Sequence, residues 1–496
     1  MKKGIRILAL AACLCGLLAM GAAAVEAPYS GYTYNYYGKS VPAPLAYVPG
    51  DTLYGEDLGV EGGLRDARDL LVSGESIYIA DTGHNRVLQL DKNYRLVRTI
   101  TEVTSPTGKV TALSEPSGVF VKDGLVYIAD TKNNRIIAVD EGGRIVRTLK
   151  KPNSTLIPKG VDFLPTRVLV DYGDNVYVIC SGYYQGFVAY NAADEFTGFY
   201  GGNEVQLSVS MLSMQFWKSI FSKEQRESLQ RAVPVEYSGA HIVGDFIYTC
   251  SKMTQNSTGE IQKLNPLGVN ILTPTSSVGY DNTNFGDIET VTYRQSTTDN
   301  NFVDIHVDEN DIIAVLDQER GRAFLYDQEC NFLGTFGVTG SQKGTMKTPS
   351  AIDKMGDTYL VLDAAKNCVH TFHKSEYMVQ IEQGLRYYSQ GLYAESVEPW
   401  RNALQYNSQC MLAYISIGKA YMQENDYQTA MEYYRKGQDR AGYSRALREY
   451  RKQVMSRYFL VFVLGAVAVV ILLKVILGRV LRALGVKRVK RSISFN

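Results

Sequence analysis

Few residues in this chain are of the types that do chemistry, and two small sets of them share a register. His241 ("AHIV") and His306 ("DIHV") hold the same place in two short apolar strands, so imidazoles from separate segments could approach each other. Two imidazoles become a zinc-type site only when a third donor joins them; without it they are ordinary packing groups. Asp69, Arg167 and Asp304 each open a comparable strand. Carboxylates and a guanidinium converging there would hydrogen-bond a polar ligand such as a sugar, or else satisfy one another as an internal network. The chain carries 5 histidines in all. It has no GxSxG elbow, HExxH pair, P-loop or dinucleotide fingerprint. No catalytic residue, cofactor-binding residue or metal ligand is therefore assigned, and the candidate ligand-binding residues are Asp69, Arg167, Asp304, His241 and His306.

The elements that must position these residues repeat. "IYIADTGHNRVLQLD" (77–91) and "VYIADTKNNRIIAVD" (126–140) are near copies, and four fainter ones align on them. The equivalent positions are Asp81, Asp130, Cys180, Ser251, Asp317 and Asp363, spaced 49, 50, 71, 66 and 46 residues apart. Each copy reads as four short strands, the pattern of a propeller blade. Asp81 with Arg86, and Asp130 with Arg135, read as mortar for the blades rather than as catalysts, because a carboxylate at a tight turn accepts backbone N–H bonds and pairs with the arginine that opens the next strand. Ring closure needs one more strand after "CVHTFH", and the Tyr-rich "YTYNYYGKSVPAP" (32–44) is expected to supply it from the N-terminal segment 28–63.

On these residues the chain resembles the NHL-repeat family over roughly 64–373. That resemblance implies a six-bladed β-propeller, here spanning 64–376 with a helical insertion at 203–233, where Ser222, Gln225 and Pro234 delimit a helix. The amidating lyases have a similar propeller with a histidine-bound metal, and gluconolactonase-type propellers hold a divalent ion on carboxylates. The alternative reading is accordingly a metal-dependent propeller enzyme of lactonase or lyase type. Segment 377–457 resembles tetratricopeptide repeats plus a capping helix: Gly384, Tyr387, Gly391, Tyr393, Trp400 and Ala403 hold consensus offsets in one repeat and Gly418, Tyr421, Tyr427, Ala430 and Tyr434 in the next, Gly384 to Gly418 being the expected 34 residues, while Ser396, Asn425 and Gly437 depart from the pattern. Such a module implies a groove for a protein partner.

Both chain ends read as addresses. Residues 1–24 have the basic, apolar and small-residue regions of an export signal, with cleavage after Ala24 or Ala27, or before Cys13 if "LAAC" acts as a lipobox. Residues 458–478 are long and apolar enough to cross a bilayer as one helix. The 18-residue tail 479–496 holds six Lys/Arg and no acid, yet "RALREYRKQVMSRY" before the span is basic as well. Export therefore decides the orientation: body outside, tail cytoplasmic. With 52 basic against 51 acidic residues, no long-range field favours nucleic acid. Cys180, Cys250, Cys330, Cys368 and Cys410, left after cleavage, lack CxxC spacing and read as buried thiols. The expectation is a mainly β protein: a six-bladed propeller, an α-helical module and one transmembrane helix. It would act without a cofactor as a membrane-anchored, extracytoplasmic binding or scaffold protein for a polar ligand such as a carbohydrate and a protein partner such as an envelope transporter.

Overall fold

The computed structural model describes residues 27–157, 160–202, 236–252, 260–274, 285–287 and 300–484. The leader 1–24, the helical insertion 203–233 and the tail beyond 484 lie outside the described residues.

Six antiparallel sheets form the propeller. Their inner strands are Asp69–Ser73, Pro116–Lys122, Pro165–Val170, Tyr237–Val243, Phe302–Val307 and Pro349–Met355. Each packs on the next, and the last returns to the first. Second strands such as Ser76–Asp81 are buried almost throughout. A blade is covered on both faces by its neighbours, so its middle strands are near-continuous apolar runs instead of alternating ones. Blades one, two, three and five contribute four consecutive strands, and blade four shows three among the described residues.

Blade six is completed by Tyr47–Leu53, which pairs antiparallel with Cys368–Lys374 and closes the ring. The expected donor, 32–44, goes elsewhere. Gly31–Tyr34 and Ser40–Ala43 pair with each other, and Gly31–Tyr34 lies on the outer strand of blade five, where Tyr32 stacks on Phe332 with ring centroids 5.7 Å apart.

Two local devices repeat around the ring. In the first, an Asx side chain caps a five-residue hairpin turn. Oδ1 of Asp91, Asn191, Asn265, Asp308 and Asp327 accepts the N–H groups two and four residues on. The residue three after the cap is left-handed: Tyr94 at φ 62°, Asp194 at 64°, Gly268 at 77°, Asp311 at 60° and Cys330 at 63°. Exposed Asp311 therefore occupies a glycine position. Asp311→Gly is expected to stabilise the protein by about 0.5 kcal/mol and Asp311→Val to destabilise it by about 1 kcal/mol, read by denaturant titration.

The second device is a bulge near the start of the inner strands of blades two to six, between Pro116 and Gly118, Pro165 and Arg167, Tyr237 and Gly239, Phe302 and Asp304, and Pro349 and Ala351. A bulge re-aims the residue that follows it. Here it brings each inner strand against the next: a Cβ on Gly118 would stand 2.5 Å from the Thr166 carbonyl oxygen, and one on Gly239 would stand 2.6 Å from Asp304 Cα.

Six helices follow: α1 (Glu376–Ser389), α2 (Tyr393–Tyr406), α3 (Met411–Gln423), α4 (Tyr427–Lys436), α5 (Arg440–Arg457) and α6 (Phe459–Ala483). Ser375, Asp426 and Asp439 cap α1, α4 and α5 with side-chain oxygens. Trp400 of α2 fits against Gly384 of α1, where a Cβ would meet the indole at 2.7 Å. One apolar core joins Tyr47, Phe336, Tyr359 and Phe372 of the propeller to Tyr377, Met378, Ile381, Trp400, Ala413 and Ile417 of the helices. Alongside it runs a buried charge network. Lys354 lies 2.5 Å from Asp308 and 3.8 Å from Glu382 of α1, Lys374 also pairs with Glu382, and Tyr47 donates to Glu382 at 3.1 Å. Lys419 of α3 reaches Glu329 of blade five at 2.5 Å. By contrast α6 is exposed along its length, and it is the one described helix long and apolar enough to span a bilayer.

Candidate functional site

The candidate residues meet at the channel the inner strands enclose, in two tiers. At the strand openings, the bulge in blade three turns Arg167 inward. Its Nη1 donates to the carbonyl oxygens of Ser117 (3.0 Å) and Thr166 (3.2 Å), and its Nη2 to those of Arg68 (3.1 Å) and Ser350 (3.5 Å). Its Nε stands 3.5 Å from Asp69 Oδ1. One guanidinium thus ties four blades. Asp69 Oδ2 accepts the N–H of Val119 in blade two at 2.8 Å, and Asp304 Oδ2 accepts that of Ile352 in blade six at 2.9 Å.

The second tier lies farther along the same strands. Asp353 Oδ2 accepts the N–H of Val72 in blade one at 2.7 Å, and its Oδ1 lies 2.7 Å from His306 Nδ1. His241 and His306 are edge to face, with ring centroids 4.6 Å apart. The structure thus brings together Asp69 with Arg167 and His241 with His306. It also gives three carboxylates one job, that of buckling an inner strand to the next blade. Asp353 was missed by sequence reasoning, although its place in the inner strand "AIDKM", one residue before a lysine, is a visible signal.

Burial raises the carboxyls of Asp69, to about 6, and of Asp304, to about 7, with Arg167 only partly offsetting it. Burial, then the neighbouring His306, lowers His241 to about 3. Burial would raise Asp353, but His306 beside it and the Val72 N–H hold it below the usual range. An acid raised in the fold costs stability when it ionises, so this contribution is fully present below about pH 4 and fades as pH climbs through 6 to 7. Asp304→Asn keeps an acceptor for Ile352 but cannot ionise. It is expected to flatten the fall in stability between pH 5 and pH 8, with a gain on the order of 1–2 kcal/mol at pH 8, measured by denaturant titration at each pH.

The repeated carboxylates sit at the strand-to-turn corners. Asp81 is fully buried and accepts from Arg65 N (2.8 Å) and Arg86 Nε (2.7 Å), with His84 Nδ1 at 2.9 Å. Asp130 does the same with Ser114 N, Asn133 Nδ2 and Arg135 Nε, each at 2.8 Å. The threonine after each donates to the next blade: Thr82 to the Pro116 carbonyl and Thr131 to the Pro165 carbonyl, both at 2.7 Å.

In blade six the same corner imitates a nucleophilic relay that sequence reasoning also missed. Cys368 Sγ is 3.5 Å from His370 Nε2, and Asp363 Oδ2 is 3.6 Å from the same nitrogen. A relay needs the thiol and the acid on opposite ring nitrogens. Here Nδ1 faces Thr52 Oγ1 at 3.1 Å instead. Burial pushes the thiol up to about 12, so it stays protonated. Burial would also raise Asp363, but His370 and the N–H groups of Lys347, Lys366 and Thr348 bring it to about 2. All five described cysteines are free and buried. Among the described residues, no group of three or more His, Cys, Asp or Glu is arranged to hold a metal ion.

No protein-family model matches the chain, and no curated protein matches it. Among solved structures it is similar to virginiamycin B lyase from Staphylococcus aureus (10% identity, 63% of this chain and 96% of that one, TM-score 0.35). It is also similar to the gluconolactonase XC5397 from Xanthomonas campestris (10% identity, 70% and 95%, TM-score 0.37) and to BamB from Moraxella catarrhalis (13% identity, 61% and 71%, TM-score 0.31). At these TM-scores the likeness carries no weight for function; the six-bladed ring stands on its own strand pairing.

Proposed function

We propose that this chain is a membrane-tethered binding or scaffold protein: an NHL-type propeller and a tetratricopeptide-type module held as one platform on a single-pass anchor. The observation that carries this reading is the union of wheel and helices. The Lys354–Asp308–Glu382–Lys374 network and the core around Trp400 and Tyr359 join them, directly ahead of the exposed apolar helix α6. A rigid platform suits recognition without turnover, since it presents two surfaces at a set distance from the bilayer.

The leader and the basic tail support an extracytoplasmic body with a cytoplasmic C-terminus. A polar ligand, carbohydrate being the simplest class, would meet the propeller at the channel mouth near Asp69, Arg167 and Asp304. A protein partner, such as an envelope transporter, would meet the exposed surface of the helices, where Tyr406 is half-exposed. A photo-crosslinking residue at Tyr406 of the full chain, activated in native membranes, tests the scaffold reading. One discrete adduct, lost when the crosslinker is moved to Tyr172 on the propeller, is the expected result. Absence of any adduct from both positions would sink it.

A further inference from the structure

The basic stretch ahead of the apolar helix has no role in the platform. α5 holds six basic residues, Arg440, Arg445, Arg448, Arg451, Lys452 and Arg457, against one acid, Glu449. Only Gly442 and Ala446 of this helix are buried, and Arg448, Arg451, Lys452, Met455, Ser456 and Arg457 are exposed. Lys452 pairs with Glu449 at 2.7 Å, and that is the one ion pair α5 makes among the described residues. Tyr458, at φ −110° and ψ 17°, caps both helices: its N–H donates to Val454 O at 2.9 Å and its carbonyl accepts from Phe462 N at 3.0 Å. One non-helical residue therefore separates α5 from the apolar rod.

We propose that Arg451, Lys452 and Arg457 form a collar that binds the headgroups of anionic phospholipids in the leaflet where α6 enters the bilayer, with Arg448 adding attraction from farther out. This rests on α6 lying in the membrane. At a rise of about 1.5 Å per residue, Arg457 stands ~3 Å, Lys452 ~10 Å and Arg448 ~16 Å before Phe459. The headgroup layer is roughly 5–7 Å deep on each side of the hydrocarbon. Arg457 therefore falls inside it, while the long side chains of Arg451 and Lys452 extend down to it. Exposed Met455, between Lys452 and Arg457, and exposed Tyr458, just after Arg457, match the amphipathic boundary they would occupy. Each basic residue at a negatively charged surface strengthens attraction about fivefold, so three unneutralised ones give an effect on the order of a hundredfold.

The full chain reconstituted in phosphatidylcholine vesicles, with and without ~30% phosphatidylglycerol, is the test. Amide exchange across 447–457 is expected to slow at least about tenfold in the anionic vesicles. The slowing should vanish in high salt and in the quadruple variant Arg448→Gln, Arg451→Gln, Lys452→Gln, Arg457→Gln. Equal exchange in both vesicle types would overturn the collar. So would protection in native membranes without protection in the anionic vesicles, since that would point to an acidic protein instead. Alkaline extraction of the same samples separates the two readings. Release of the chain would fail the membrane reading, whereas retention with equal exchange would fail the collar alone.

Discussion

Lys354→Met is expected to cost about 3 kcal/mol and to uncouple the helices from the propeller. The Lys354 side chain is 2% exposed, its partner Asp308 0% and Glu382 8%, so removing the cation between them leaves the buried Asp308 carboxylate uncompensated. Lys374, already paired with Glu382 and with Asp357, is placed to neutralise Glu382 but not Asp308. Trp400 lies in the shared core and reports on it by fluorescence. The wild-type chain in detergent should unfold in one transition by tryptophan fluorescence and circular dichroism together. The variant should show the fluorescence change first, at lower denaturant. Adding Asp308→Asn to the variant should recover part of the loss, because the orphaned charge goes with it. Coincident wild-type-like transitions in Lys354→Met would mean that the network does not hold the two parts together.

The second large effect belongs to the repeated corner. Asp81→Ala removes an acceptor shared by Arg86, His84 and the Arg65 N–H, all at a position with no solvent access. The Arg65 N–H loses its only carboxylate, and the largely buried Arg86 keeps just the carbonyl oxygens of Glu61 and Gly63. A loss of about 3 kcal/mol is expected, against about 1 kcal/mol for Asp81→Asn, which retains one acceptor. Thermal melts of the full chain measure both. The ordering Ala below Asn below Asp identifies mortar, whereas a catalytic role would leave the melts unchanged.

Much of this was legible from spacing. Asp81 with Arg86 and Asp130 with Arg135 carry the same residues at the same interval, and the geometry repeats with them. The shared register of His241 and His306 likewise places the two rings in contact. The closing strand was harder to read. Tyr32–Tyr34 alternate like any strand, whereas "YVPGDTL" carries a proline and a glycine that normally demote one. Pro49 is tolerated because Tyr47–Leu53 is the outermost strand of its blade, with one side unpaired. Lys354 was illegible for another reason. A lysine in a strand reads as solvent-facing, and only the arrival of α1, from beyond the sheet, buries it. The αL residue Cys330 gave no signal either, since the turn depends on the Asx cap three residues earlier.

The seam also decides how this molecule carries load. α1 begins just past Cys368–Lys374, so a pull along the main chain from α6, were it embedded as proposed, reaches the wheel at that strand. Were it the rim of the sheet, tension could unzip it one hydrogen bond at a time. Tyr47–Leu53 on its outer side makes it an interior strand, and Ser375 N is further tied to Ala46 O at 3.1 Å. Such traction would have to shear two ladders at once, and the stretch synthesised near the beginning of the chain would serve as the clamp for the helix made at its end.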